Sequence, residues 1–150
     1  MNQLAFKKWF DKMAEAEGIK NFSASEFTNY FVRVRNGGRN SIPSERIWNN
    51  IVPALRIVQR LRMEFGQPIT ILSSYRSPTY NLAIGGAKFS QHKNFCALDI
   101  VVKGVSPEDV DAKLKHWRDC GCFVGGIGLY VTSGFVHIDT RGENATWQGN

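Results

Sequence analysis

His92 lies seven positions before Asp99 in SQHKNFCALDIVV (residues 90–102), and His137 lies two positions before Asp139 in FVHIDT (residues 135–140). Two imidazoles and one carboxylate are the donor types of a catalytic zinc site, in which three protein ligands leave a fourth position open. At such a position water becomes acidic enough to attack at neutral pH, its pKa falling to about 7. Asp99 is the residue that needs explaining, because aspartate is depleted in strands and rarely buried without a partner, yet here it sits in an apolar run. Its partner is either a metal shared with His92 and His137 or a plain cation, Lys103 or Arg76. In the second case His92 is an ordinary loop residue and His137 a satisfied strand histidine. Spacing alone leaves both readings open.

The elements that must position these residues are legible in part. Strand side chains alternate between faces, so in CALDIVV Leu98 and Ile100 oppose Ala97 and Asp99, and in FVHIDT Val136 and Ile138 oppose Phe135, His137 and Asp139. If the apolar faces share a core, Asp99, His137 and Asp139 are presented together away from it. Cys96 then falls on the core side with Leu98 and is not counted as a ligand. ITILSSY reads as a further strand, and RSPTYNLAIGGAKFSQHKNF as a loop with one helical turn begun at Ser77-Pro78. Thr132-Ser133-Gly134 joins IGLYV to FVHIDT as a hairpin. SPEDVDAKLKHWRDCG carries a serine cap, a proline at the first helical position, acids in the first turn and Gly121 beyond its end, so it predicts a helix.

Upstream, Phe6, Trp9, Phe10, Met13 and Ala14 form a helical stripe stopped by Gly18, and Ser23 with Glu26 fits a capping box. Residues 36–44 read as a loop. A longer helical pattern runs from Ser44 through Leu61 to Gly66, with Pro53 set to kink or split it. Helices first and mostly antiparallel strands later argue for an α+β domain. The expected architecture is a small, mostly antiparallel sheet carrying the site, packed with N-terminal helices and one later helix. Residues 1–150 are expected to form one domain, with 1–21 a helical extension.

The composition is that of an ordinary globular chain, with 150 residues, 43% hydrophobic and 21% charged. No stretch reads as a bilayer span, and MNQLAFKKWFDKMAEAEG does not read as a secretory leader. The net charge of +6 suggests a polyanionic partner, whether nucleic acid, anionic cell wall or a membrane surface. No DNA- or RNA-binding motif accompanies the clusters at Arg33, Arg35 and Arg39 and at Arg56, Arg60 and Arg62, so both read as solvated surface. The three cysteines, Cys96, Cys120 and Cys122, do not make a disulfide framework and are expected to be reduced and mostly buried. His116 reads as a surface residue, and a monomer is expected.

Taken together, SSYRSPTYNLAIGGAKFSQHKNFCALDIVV and GGIGLYVTSGFVHIDTRGENATW resemble the zinc D-alanyl-D-alanine metallocarboxypeptidases that act on peptidoglycan. That family shares its zinc-site fold with lysostaphin-type endopeptidases and hedgehog domains. The resemblance runs in ordered pieces over roughly residues 22–147. It implies a Zn2+ site with His92, Asp99 and His137 as ligands, and a peptidase cutting a bond in cell-wall stem peptides as carboxypeptidase or endopeptidase. Arg76 matches the family's arginine, a stabiliser of oxyanion charge or a clamp on a substrate carboxylate. Ser90 is expected to position the His92 loop, and Tyr130 and Trp147 are candidate walls of the substrate site. Asn81 and Gly85-Gly86 would shape the loop.

Two departures stand out. Phe95 replaces a usual glycine. Gly134 and Phe135 stand where many members carry a glutamate or histidine that moves protons. Asp139 is the replacement candidate for acid–base catalysis; the alternative is that it orients His137 or pairs with Arg141. A holin-assisted, phage-type lysis enzyme acting at the wall or periplasm fits a chain without a leader. The rival reading is an inactive, zinc-holding binding module.

Overall fold

The computed structural model describes residues 2–150. Helix α1 (Gln3–Glu17) begins where the Asn2 side chain accepts the Ala5 N–H at 2.8 Å and ends at Gly18 in the left-handed region, φ 70°. It turns Phe6, Phe10 and Met13 inward. Helix α2 (Ala24–Phe31) starts from the capping box, with Ser23 N–H donating to Glu26 Oε2 at 2.6 Å. A two-residue hairpin, β1 (Val34–Arg35) and β2 (Gly38–Arg39), follows where the sequence suggested only a loop from residue 36. Pro53 divides the next pattern: a 3₁₀ segment, Glu45–Ile51, gives way to α3 (Val52–Phe65), with the proline in the first turn, where its missing N–H costs nothing.

The second half is a five-stranded sheet in the order β3 (Ile69–Ser73), β4 (Ala97–Val102), β6 (Phe135–Asp139), β5 (Gly126–Tyr130), β7 (Ala145–Gly149). All neighbours are antiparallel except β7, which adds parallel to β5 at the edge. That last strand was not foreseen. Short helix α4 (Pro78–Ala83) is the turn begun at Ser77-Pro78, and α5 (Pro107–Asp119) starts with Ser106 Oγ accepting the Asp109 N–H at 3.1 Å.

One apolar cluster joins the two halves. Phe6, Phe10 and Ile19 pack in the same core as Leu98, Ile100, Val136 and Ile138, so the first helix is built into the fold. All three cysteines are free, but only Cys96 is buried; Cys120 and Cys122 are exposed beyond the end of α5, against the expectation of mostly buried thiols. Among the described residues no helix is long and apolar enough to cross a membrane.

Candidate metal centre

The register of β4 against β6 sets Asp99 directly opposite His137 and Leu98 opposite Ile138. Period-two alternation then gives the core Leu98, Ile100, Val136 and Ile138, and leaves Asp99 and His137 on the other face. His92 arrives from a 3₁₀ turn, Gln91–Asn94, capped by Ser90, whose Oγ accepts the His92 N–H at 3.3 Å. One donor atom from each of His92, Asp99 and His137 lies within 4.8 Å of the others, and all three residues are buried. Asp99 also meets Arg76, whose Nη2 is 3.3 Å from Oδ2 while its Nε donates to Ser73 Oγ at 3.1 Å. Lys103, the other cation considered for Asp99, makes no ion pair with it among the described residues.

The hydrogen bonds around the rings define what this donor set needs. His92 Nδ1 is 2.6 Å from the Ser74 carbonyl, an acceptor, so Nδ1 carries the proton and Nε2 turns its lone pair toward Asp99 Oδ2, 3.2 Å away. His137 Nε2 donates to Asp139 Oδ2 at 2.8 Å, which leaves Nδ1 facing Asp99 Oδ1 at 2.9 Å. Two ring lone pairs and a carboxylate at these separations repel one another unless a cation stands among them. A proton on His137 is one solution: burial disfavours its charged form, but the hydrogen bonds to Asp139 and Asp99 outweigh that and raise its pKa. His92 goes the other way, burial holding it below the ordinary histidine range. A divalent metal bound by two nitrogens and one oxygen is the other solution, and the set fits zinc in type and tautomer.

Asp139 is fully buried behind His137. Its Oδ1 accepts from Gly126 N–H (2.9 Å), Arg141 N–H (3.1 Å) and Arg141 Nε (2.9 Å), and its Oδ2 accepts from His137 and from Arg141 Nη2 (2.7 Å). Burial alone would raise its pKa; His137 and Arg141 overcome that and hold it well below the usual carboxylate range. It is therefore a saturated carboxylate that does not line the cleft, a geometry that matches orientation of His137 and pairing with Arg141 rather than proton transfer.

The cleft above the centre has a volume of about 570 Å³. Residues 85–91 form one side, with Ser90 among them, and Tyr130, Phe135 and Trp147 another. Tyr130 stacks on Phe135 with ring centroids 4.4 Å apart, and its hydroxyl accepts from Trp147 Nε1 at 2.8 Å. Two glycines of β5 make room for these side chains. A Cβ on Gly128 would come within 2.5 Å of Trp147 Nε1 in the cleft wall, and one on Gly126 within 2.4 Å of Asp139 Oδ2 behind His137. Their alternate spacing in a strand, GIG, was the available signal.

Three converging donors beneath an open cleft could hold a divalent metal and leave a coordination position facing the cleft. The chain belongs to the peptidase M15 family, whose model matches residues 20–139. It is 35% identical over 86 residues to the probable peptidoglycan L,D-endopeptidase MepK of Haemophilus influenzae, a match covering 54% of this chain and 43% of that protein. To the peptidoglycan L,D-endopeptidase MepK of Escherichia coli it is 33% identical over 79 residues, 49% of this chain and 41% of the relative. The match thus spans less than half the length of these curated relatives.

Proposed function

We propose that this chain is a zinc-dependent peptidase that hydrolyses a peptide bond in the stem peptides of bacterial peptidoglycan. The observation that carries the reading is the convergence of His92, Asp99 and His137 at the floor of a cleft, in a chain of the M15 family. The relatives named as L,D-endopeptidases favour cleavage within a stem peptide or cross-link over removal of a terminal residue.

Zinc held by His92 Nε2, an Asp99 oxygen and His137 Nδ1 would supply Lewis acidity to the scissile carbonyl and make water nucleophilic at neutral pH. The protein's own groups do the rest. Arg76 is fixed by Ser73 and Asp99 and lines the cleft, so its guanidinium can hold negative charge on the substrate. Asp139 keeps the proton of His137 on Nε2 and so keeps Nδ1 available as a donor atom. Ser90 holds the turn that carries His92, and Tyr130 forms part of the wall against which a peptide would lie.

The test is digestion of purified peptidoglycan by the zinc-loaded protein, with and without chelator, read by mass spectrometry. Chelator-sensitive peptide fragments are expected, and their masses name the bond. A second reading has two points in its favour: among the described residues Asp99 is the only carboxylate lining the cleft, and Phe135 stands where many members carry a proton carrier. A zinc-holding binding module would release no fragments from any wall type while retaining tightly bound zinc.

Asp139→Asn separates positioning from proton transfer. As an orienter of His137, Asp139 contributes to zinc affinity, so the variant is expected to bind zinc roughly 10- to 100-fold more weakly. Hydrolysis should then return at saturating zinc. Activity that stays lost when the metal is fully bound would instead make Asp139 the proton carrier.

A further inference from the structure

A second hollow of about 310 Å³ lies against the metal centre and shares Arg76, Asp99 and Phe135 with the main cleft. Its other side is formed by Tyr30, Arg33, Arg35 and Tyr80. Three guanidinium groups thus face one carboxylate, Asp99, which is already engaged by His92, His137 and Arg76. Arg33 and Arg35 are exposed, and neither makes an ion pair among the described residues. The guanidinium carbon of Arg33 lies 4.9 Å from the centroid of the Tyr30 ring.

The hairpin that carries these arginines is firmly seated. Asn40, buried just after β2, donates to the Tyr30 carbonyl (3.2 Å) and the Tyr75 carbonyl (2.9 Å), and its Oδ1 accepts the Ser77 N–H at 2.9 Å. Gly38 lies so close to Ala83 that a Cβ there would fall 2.3 Å from the alanine Cβ. Beneath, Arg76 donates to Ser73 Oγ, and Ser73 Oγ donates to Tyr30 Oη at 2.9 Å, which leaves the phenol proton free to be donated onward. The result is a hollow with fixed donors and an excess of positive charge, beside the bond-breaking centre.

We propose that this hollow is a carboxylate subsite, in which Arg33 and Arg35 hold an acidic residue of the substrate peptide while the neighbouring bond lies over His92, Asp99 and His137. The proposal rests on the peptidase reading and narrows it to acidic peptides. Planar guanidinium groups match a carboxylate in a way that a lysine patch does not. Peptidoglycan stem peptides offer such carboxylates on D-glutamate and on diaminopimelate. Arg33 and Arg35 are exposed, as the sequence reading of a solvated surface expects, and the proposal gives them a role on that surface; Arg39 does not line the hollow.

The experiment is calorimetric binding to the zinc-loaded full chain of the tripeptide L-Ala-γ-D-Glu-diaminopimelate and of the same peptide with its carboxylates converted to amides. The acidic form is expected to bind roughly 10- to 100-fold more tightly. The double variant R33Q/R35Q should lose that preference, and R33K/R35K should keep part of it. Thermal unfolding checks that the variants fold; if the glutamine variant does not, the comparison of the two peptides on the unaltered chain still decides. Equal binding of both forms, no binding of either at millimolar concentration, or an undiminished preference in R33Q/R35Q would overturn the subsite. Fragment release from peptidoglycan by the same preparation is scored separately. Release without acid preference removes the subsite and leaves the peptidase, whereas acid preference without release removes the peptidase and leaves an acidic-peptide binding site.

Discussion

Asp99→Asn is expected to leave the protein without bound zinc and without measurable peptidase activity. The substitution keeps the shape of the side chain and removes only its charge, so it isolates what the carboxylate contributes. In the folded chain Asp99 is buried, which by itself would raise its pKa. The facing rings of His92 and His137 overcome that cost and hold the group well below the usual carboxylate range. Without the negative charge, two neutral nitrogens remain as donors beside the Arg76 guanidinium, a poor setting for a divalent cation. Zinc retained after dialysis should fall from close to one per chain toward none. Loss of metal chemistry worth several kcal/mol corresponds to a thousandfold or greater loss of rate, in round terms. A thermal scan supplies an independent readout: chelator should lower the unfolding temperature of the unaltered protein and leave Asp99→Asn unmoved, since only a bound metal stabilises by mass action. Stoichiometric zinc in the variant would show that the carboxylate is not a ligand and that its ion pair with Arg76 is its whole role.

How much of this was legible in the sequence depended on how local the cause was. Alternation in CALDIVV and FVHIDT is a period-two signal carried within each strand, and it correctly brings Asp99 and His137 to one face. The capping serines, Pro107 and the Thr132-Ser133-Gly134 hairpin are local for the same reason. Strand β7 was not legible. Its residues, ATWQG, are largely polar or small, and its existence depends on a parallel register with β5, a partner some twenty residues away in the chain. Missing it also hid how Trp147 reaches the cleft. The same-face argument places Asp139 beside His137, and its pairing with Arg141, two residues on, is legible for the same local reason; the Gly126 N–H that completes its set of donors comes from the neighbouring strand β5 and is not. Arg33 and Arg35 read as surface and are exposed; what the sequence does not announce is that Asn40 pins the short hairpin beside them to Tyr75 and Ser77.

Phe95 carries the other large effect, and it concerns stability. The residue ends the turn that bears His92 and adopts φ 54°, ψ 42°, the left-handed conformation that glycine occupies without penalty. This is the position where the resembling family usually has glycine. The backbone has kept the glycine geometry, and the side chain has become part of the core: Phe95 is fully buried, with ring centroids 6.2 Å from Phe6, 6.2 Å from Phe27, 5.9 Å from Phe31 and 6.1 Å from Tyr75. Burial of the ring must outweigh a conformational penalty of about 1–2 kcal/mol. Phe95→Ala should therefore destabilise the metal-free protein by about 3–5 kcal/mol in denaturant titrations, the usual cost of emptying an aromatic site. Phe95→Gly removes the same ring but also relieves the backbone, so it should be more stable than the alanine variant by about 1 kcal/mol. Elsewhere in a folded chain glycine is ordinarily the worse of the two, because it has more conformational freedom to lose. A glycine variant less stable than alanine would mean that the left-handed geometry carries no strain at this position. Either substitution uncouples the His92 turn from the aromatic cluster of α1 and α2, so zinc affinity should fall in both even though no ligand has been touched.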